Sequence, residues 1–231
     1  MKQFLCLIIC TLLFTNTYAQ NDAYALTKQG AVAEYGMFYG TKHKLMGSIR
    51  ITVTNVAEDE DKTVVTTLQQ ALNKKGKPSK NAAFIGLGDG LQTSISIENG
   101  SYYMTQDQIF GYYKDLKRSG YMLKIPQKLE VGNEIEGSTV FFNGKMMGMT
   151  MKNELTYKNF KVISEEDLVT PAGTFHCLKV TGTITGKCQR MNITDNQTWW
   201  IAPNIGIVRL EANYLGTKQQ VILQLNKISG L

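Results

Sequence analysis

Alternation of apolar and polar residues along one segment restricts the fold more than any other feature of this chain. From Leu178 to Cys188 the even positions are Leu, Val, Gly, Ile, Gly and Cys, whereas the odd positions are only Lys and Thr. Strict period-two alternation is typical of a β-strand that buries one face. The segment is therefore predicted to form one long strand.

This strand bears on the two cysteines at its ends. A single strand separates Cys177 from Cys188 by about 36 Å, since each residue advances ~3.3 Å, whereas disulfide-linked Cα atoms lie within ~7 Å. A hairpin turning at Gly182-Thr183 would bring the cysteines together, but it would mix apolar and polar residues on each face. The pattern therefore favours two unpaired thiols, with Cys188 on the buried face.

Similar alternation and turn residues recur along the chain. Strands are predicted at Ala31–Tyr39, Gly47–Val56 and Thr63–Leu72, with a charged turn at Glu58–Asp61. Helical spacing of apolar residues predicts one helix, between Gln106 and Ser119. The sequence thus predicts an all-β, mainly antiparallel domain with at most one or two short helices.

Two Asn-Gly pairs predict tight hairpins, because a type I′ turn needs two residues that tolerate positive φ. A two-residue turn at Asn99-Gly100 places Ile97 opposite Tyr102. The same geometry at Asn143-Gly144 starts a strand that carries three methionines at period two. These are Met147, Met149 and Met151.

The methionines allow three interpretations, because thioethers fill cores, line adaptable pockets and bind Cu(I). Core packing is the simplest, and Met147, Met149 and Met151 are kept as candidate ligand-binding residues. Trp199 and Trp200 join them, because neighbours on a strand face opposite ways and one ring would face outward to meet a sugar or a partner.

The N-terminus predicts export. Lys2 precedes the apolar run Phe4–Phe14, and Thr17-Tyr18-Ala19 offers small residues where a signal peptidase cleaves. We expect a signal peptide over 1–19 and a single domain over 20–231, periplasmic or secreted, with no transmembrane segment in the mature chain. A lipid anchor at Cys10 is the weaker alternative, because Ile9 is not small.

Signatures of catalysis are missing from the sequence. G-x-S-x-G, S-x-x-K and H-E-x-x-H do not occur, and the chain has only two histidines, His43 and His176. His176 adjoins Cys177, but strand neighbours point to opposite faces and would not form a nucleophile–base pair. The charged clusters Glu58–Asp61 and Glu165–Asp167 leave open a carboxylate-dependent enzyme that acts on envelope glycans.

Several segments together resemble exported bacterial proteins with a domain of unknown function, of the TapB-like or YmcC-like kind. The most specific is the string from Pro171 to Val180, followed by Trp199–Val208. The resemblance implies a strongly curved antiparallel sheet, as a barrel or open barrel, and brings no catalytic residues. Asn204 stands where glycine is common in the pattern. The other matching segments are Gly30 with Glu34-Tyr35, and Pro126–Gly132.

The functional hypothesis is a non-catalytic exported protein of the cell envelope. It would bind a lipid or other apolar ligand, or an envelope protein or glycan, with neither a cofactor nor nucleic acid as a partner. A closed apolar cavity lined by the three methionines would favour such a binder, whereas buried acids in a cleft would favour the glycan enzyme. A purely structural interaction protein is the third alternative, and it predicts a filled core with an exposed apolar patch.

Overall fold

Every regular element that the structure describes is a β-strand, which confirms the all-β prediction. The computed structural model describes residues 23–40, 42–73, 75–78, 90–105, 116–146, 149–188, 191–213 and 219–231. The strands are β1 Val32–Tyr39, β2 Lys44–Asp59, β3 Lys62–Leu72, β4 Leu91–Glu98, β5 Ser101–Met104, β6 Leu116–Ser119, β7 Leu123–Pro126, β8 Glu134–Gly137, β9 Thr139–Met146, β10 Met149–Thr170, β11 Gly173–Cys188, β12 Met191–Ala202, β13 Gly206–Asn213 and β14 Gln220–Ser229.

These strands form one antiparallel sheet that closes into a twelve-stranded barrel. The ring runs β11-β12-β13-β14-β1-β2-β3-β4-β5-β7-β8-β10, and the pairing of β10 with β11 closes it. Strands β9 and β6 continue from β10 outside the ring. Closure removes the free sheet edges of these twelve strands and confirms the curved, barrel-like architecture. No helix among the described residues is long and apolar enough to cross a membrane.

Strands β10 and β11 extend beyond the barrel wall as a two-stranded arm. Strand β11 pairs with β12 only from Leu178 onward, and β8 meets β10 only at Phe160 and Lys161. Residues 164–177, here called the arm, therefore pair mainly with each other around a turn at Pro171-Ala172. Ala172 N donates to Thr170 Oγ1 at 3.2 Å and holds this turn.

The single-strand prediction for Leu178–Cys188 is confirmed, because β11 runs unbroken to Cys188. Eleven positions along one strand keep the two cysteines apart, and Cys177 is a buried free thiol. The backbone of Cys188 lies in β11 opposite Met191, while its side chain lies outside the described residues. The burial of Cys188 therefore stays a prediction.

One predicted hairpin is confirmed and one is wrong. Asn99 and Gly100 have φ of 48° and 70°, and Ile97 lies opposite Tyr102. Asn143-Gly144 is instead the interior of β9, and the reversal lies between Met146 and Met149. Pairing on both sides, with β6 and β10, extends this strand through the two residues and outweighs their local turn preference.

The predicted helix between Gln106 and Ser119 is wrong where the structure describes it. Leu116–Ser119 forms β6, which pairs with β9 from Gly144 to Phe141. Residues 106–115 lie outside the described part of the chain. Helical spacing of a few apolar residues does not decide between helix and strand when a neighbouring strand can form backbone hydrogen bonds with the segment.

The core lies on the barrel's buried face and is mostly apolar. Strands contribute alternate side chains such as Val65, Ile97, Leu123, Val180 and Leu225, all at most 3% exposed. Polar residues on this face satisfy one another: Thr67 and Thr93 hydroxyls lie 3.0 Å apart, and Gln69 Nε2 donates to Thr93 Oγ1.

Residues 23–26 add to the core, and a turn between β12 and β13 holds them in place. The segment Ala23–Leu26 is buried, and Asn204 N donates to Ala23 O at 2.9 Å. Asn204 has a φ of 61°, the left-handed conformation in which asparagine is the commonest substitute for glycine. This backbone conformation explains why asparagine is tolerated where the family pattern has glycine.

Candidate functional site

A groove of about 340 Å³ lies between the tip of the arm and strands β1 and β14. Its walls come from the turn of β10–β11 and from the face of β1 opposite the buried Ala33 and Tyr35. This volume is within the range of ~300–1,000 Å³ usual for small-ligand sites. The lining residues are Val32, Glu34, Pro171, Ala172, Asn226, Lys227, Ile228 and Ser229.

Glu34 is the acidic group of the groove, and its side chain is only 17% exposed. Its Oε1 accepts from Arg50 Nε at 2.9 Å and from Arg50 Nη2 at 2.6 Å. Its other oxygen, Oε2, lies 3.8 Å from Lys227 Nζ, beyond hydrogen-bond distance. Arg50 therefore fixes the carboxylate while Oε2 keeps hydrogen-bonding capacity.

Asn226 is held in the groove by a β-bulge. Lys227 pairs with Glu34 and Leu225 pairs with Tyr35, so Asn226 is the extra residue of β14. Gly36 makes room for it, because a Cβ on Gly36 would lie 2.4 Å from Asn226 Nδ2. The Oδ1 atom of Asn226 is buried and has no hydrogen-bond partner among the described residues. A buried acceptor without a partner is rare and costs free energy.

Beside the groove, the same face of the sheet carries a row of residues paired across neighbouring strands. Lys179, Trp200, Arg209, Gln224 and Gly36 occupy facing positions on five successive strands. Facing positions point to one side of a sheet, so this row lies opposite the apolar core. Arg209 Nη1 donates to Gln224 Oε1 at 3.3 Å, and Arg209 Nη2 lies 2.5 Å from Glu211 Oε1.

Trp200 occupies the middle of the row and is covered, with 7% exposed. The charged ends of Lys179 and Arg209 lie 5.1 and 5.6 Å from its ring centroid. The Trp200 Nε1 group donates to Glu166 Oε1 of the arm at 2.5 Å. The hydrogen bond to Glu166 therefore ties the arm to the barrel wall, whereas the cation–π contacts hold Trp200 within the wall.

Trp199 faces the opposite way and belongs to the core, with 3% exposed. Its Nε1 donates to Gln197 Oε1, and Gln197 Nε2 donates to Asp195 Oδ2, both at 2.9 Å. The two tryptophans thus face opposite sides as expected, but neither ring is exposed. The expectation of an outward aromatic surface is wrong because charged side chains of neighbouring strands cover Trp200.

The methionine prediction stays untested. Met147 lies outside the described residues; Met149 and Met151 occupy β10 opposite Met146 and Gly144. Their side chains also lie outside the described part. The observed register pairs the backbone of Met146 with that of Met149.

The acidic cluster of the arm surrounds a histidine. His176 Nδ1 lies 2.9 Å from Asp167 Oδ1, and its Nε2 lies 3.8 Å from Glu165 Oε2. The hydrogen bond to Asp167 raises the pKa of His176 above its ordinary value. Cys177 faces the other way and is fully buried, and burial raises its thiol pKa to about 12. The two do not form a nucleophile–base pair, and the described residues hold no cluster suited to a metal ion.

Sequence reasoning identified Glu34 and Pro171-Ala172 as pattern residues and missed Asn226, Lys227 and Arg50. The only local signal was Leu225-Asn226-Lys227-Ile228, where two consecutive polar residues interrupt an apolar strand. Such an interruption is typical of a bulge. It does not indicate which other strand faces it.

The structure is a closed antiparallel barrel. Charged side chains cover Trp200 on its outer face, and a shallow groove lined by polar and apolar residues lies beside the arm. The DUF3108-like family model matches residues 28–220. The chain belongs to the DUF3108-like family, which confirms the resemblance to this kind of domain of unknown function. No curated protein matches the chain.

Two solved structures share this fold at low identity, and a third has a lower structural similarity. A protein of Bacteroides fragilis, inferred to be exported and of YmcC-like fold, has 19% identity and a TM-score of 0.67, over 90% of this chain and 100% of its own. A protein of Parabacteroides distasonis, inferred to be a lipoprotein, has 18% identity and a TM-score of 0.68, over 90% and 99%. The hypothetical lipoprotein YmcC of Escherichia coli has 10% identity and a TM-score of 0.36, over 87% and 89%.

Proposed function

We propose that this protein is an exported, non-catalytic binding protein of the cell envelope and that the groove under the arm holds its ligand. The observation that carries the proposal is the groove itself, a cavity of about 340 Å³ that combines apolar walls with a fixed carboxylate. Its apolar wall comes from Val32, Ile228, Pro171 and Ala172. Arg50 holds Glu34 at 2.6 Å, and Glu34 Oε2 keeps the capacity to accept a hydrogen bond from a ligand.

The proposal of export rests on the apolar N-terminal segment and its small residues before position 20. The structural neighbours inferred to be exported or lipoproteins support the same location. The envelope therefore supplies the ligand or partner.

A catalytic role receives less support from the described carboxylates. Glu34 is held by Arg50, while Glu165 and Asp167 lie on an exposed face beside His176. Glycoside hydrolysis needs an acid with a raised pKa beside a second carboxylate across a cleft. The groove contains one carboxylate, so binding accounts for it better than hydrolysis.

Native mass spectrometry tests the proposal. The protein is produced with its own N-terminus, purified from the exported fraction, and weighed under native and denaturing conditions. An excess native mass that disappears on denaturation, and is absent in Ala172→Phe, supports a ligand in the groove. Ala172 lies at the turn and lines the groove, so a bulky side chain there fills it. A native mass equal to the bare chain contradicts the proposal.

A further inference from the structure

Charge is distributed unevenly along the hairpin of β2 and β3. The turn between the two strands is acidic, with four consecutive carboxylates at residues 58–61. On either side of this turn, the sequence contains no acidic residue between Glu34 and Glu58 or between Asp61 and Asp89. The strand β2 advances about 50 Å at ~3.3 Å per residue, whereas charges in solution are screened beyond ~8 Å. The two ends of the hairpin therefore act on their surroundings as separate charges.

Two neighbouring turns form the end opposite the acidic turn. One comprises residues 42–46, at the start of β2, and the other comprises residues 75–78, after the end of β3. They lie side by side because Ser48 pairs with Leu72. The two turns are here called the basic corner. Its lysines are all exposed; they are Lys42, Lys44, Lys75 and Lys77.

The second turn is held in a fixed shape. Asn73 Oδ1 accepts hydrogen bonds from the backbone N–H groups of Lys75 at 2.8 Å and Lys77 at 3.2 Å. Arg50 Nη2 donates to Gly76 O at 3.3 Å and holds the turn beside β2. The lysine side chains therefore extend from a backbone that is already ordered.

Large apolar side chains are exposed among these lysines. Leu45 is 39% exposed and Met46 is 41% exposed. Leu45 pairs with Phe38 and Gly47 pairs with Met37, so Met46 is the extra residue of a bulge. Apolar residues beside lysines are typical of a surface that enters the headgroup region of a bilayer. A soluble polyanion would contact the lysines but would leave the apolar side chains in water, so this combination favours lipid.

We infer that the basic corner docks on an anionic lipid surface, with its lysine ammonium groups at lipid phosphates and with Leu45 and Met46 in the interfacial region. Repulsion of the acidic turn at residues 58–61 keeps the opposite end of the hairpin away from the lipid, so the docked barrel has one orientation. The inference goes beyond the groove, because none of the groove's lining residues belongs to the basic corner. It takes from the proposed function only the export to a compartment bounded by membranes.

Co-sedimentation with vesicles tests this surface. The probes are phosphatidylcholine vesicles with and without phosphatidylglycerol, mixed with the full exported protein. We expect binding to the vesicles that contain phosphatidylglycerol, at least tenfold weaker binding to the neutral vesicles, and a similar loss in about 1 M salt, where the Debye length is ~3 Å. No binding to the anionic vesicles, or equal binding to both kinds, would overturn the inference.

Lysine variants locate the contact. The double variant Lys42→Gln, Lys44→Gln is expected to weaken binding to the anionic vesicles by about tenfold or more, since each lysine near such a surface contributes roughly a fivefold factor. The matched control is Lys28→Gln, Lys128→Gln, because both lysines are exposed and lie outside the basic corner. Equal vesicle binding by the two double variants would overturn the inference.

Apolar variants distinguish lipid from other anionic partners. The double variant Leu45→Ser, Met46→Ser keeps every charge and is expected to weaken binding to the anionic vesicles by about tenfold, because its side chains no longer gain from leaving water. Its retention on heparin, a soluble polyanion, should stay unchanged. Unchanged vesicle binding in this variant would show that charge alone acts and would overturn the assignment to a lipid surface.

Discussion

The ring of Phe160 lies directly over Gly182 on the neighbouring strand. A Cβ built on Gly182 would lie 2.4 Å from the ring atom Cγ and 2.5 Å from Cδ1 and Cδ2. Phe160 is 1% exposed, and its ring also makes an edge contact with Trp199 at 5.3 Å between centroids. The glycine on β11 therefore makes the space into which the largest fully buried side chain of the described core fits.

Gly182→Ala is expected to destabilise the barrel by about 1–3 kcal/mol, because the added methyl group overpacks the core. The measurement is the free energy of unfolding from a urea titration. Gly47→Ala is the control, because its added Cβ would have no neighbour within 4 Å. Equal effects of the two substitutions would contradict the packing explanation, and Phe160→Leu should recover part of the loss in Gly182→Ala.

Trp200→Phe is expected to cost about 1–3 kcal/mol, because it leaves Glu166 without its indole donor and loosens the arm. A double-mutant cycle with Glu166→Ala measures the coupling, which should reach at least ~0.5 kcal/mol. Trp199→Phe with Glu166→Ala provides the control pair, since Trp199 faces the core. Zero coupling between Trp200 and Glu166 would refute a tie between arm and wall.

Cys177 should resist thiol reagents in the folded protein, because it is fully buried and its pKa is raised to about 12. Peptide mapping after labelling at mildly alkaline pH should find Cys177 unmodified until denaturant is added.

The raised pKa of Cys177 also predicts how the stability of the fold changes with pH. A thiol whose folded pKa exceeds its unfolded value stabilises the fold fully below the unfolded pKa, and this contribution is lost as pH rises from about 9 to about 12. Cys177→Ala should flatten the fall in stability over that window. An equally steep fall in the variant would show that other groups cause it.

His176 should titrate above its ordinary pKa because Asp167 accepts its hydrogen bond. A raised pKa means that protonated His176 stabilises the arm at low pH, and that the contribution disappears as pH rises through the folded pKa. NMR titration of the His176 ring tests this, and Asp167→Asn should lower the pKa.

Local sequence patterns correctly predicted strands that have one buried face and one exposed face. Alternation predicted β11 because every second residue from Leu178 to Ile184 is buried, and Asn99-Gly100 predicted its turn because positive φ is a local requirement. The same local rule failed at Asn143-Gly144, where ladders on both sides of β9 carry the strand through. The turn preference of two residues is a weak and local contribution to stability, whereas strand pairing depends on segments that are distant in the chain.

Sequence patterns also could not predict which residues lie together in the groove. Glu34, Pro171 and Asn226 lie far apart in the chain, and only barrel closure together with the folded-back arm brings them to one cavity. Trp200 shows the same limit: alternation placed it opposite Trp199, but its cover by Lys179 and Arg209 depends on the register of three strands.

The sequence alone predicts the all-β class, the long strand that keeps Cys177 and Cys188 apart and the domain family, because these depend on period, turn chemistry and ordered strings of residues. The closed barrel, the position of the arm and the unpaired acceptor of Asn226 arise only in the folded chain. These depend on which distant strands pair and in which register, and the energy of such pairing belongs to no single segment of the chain.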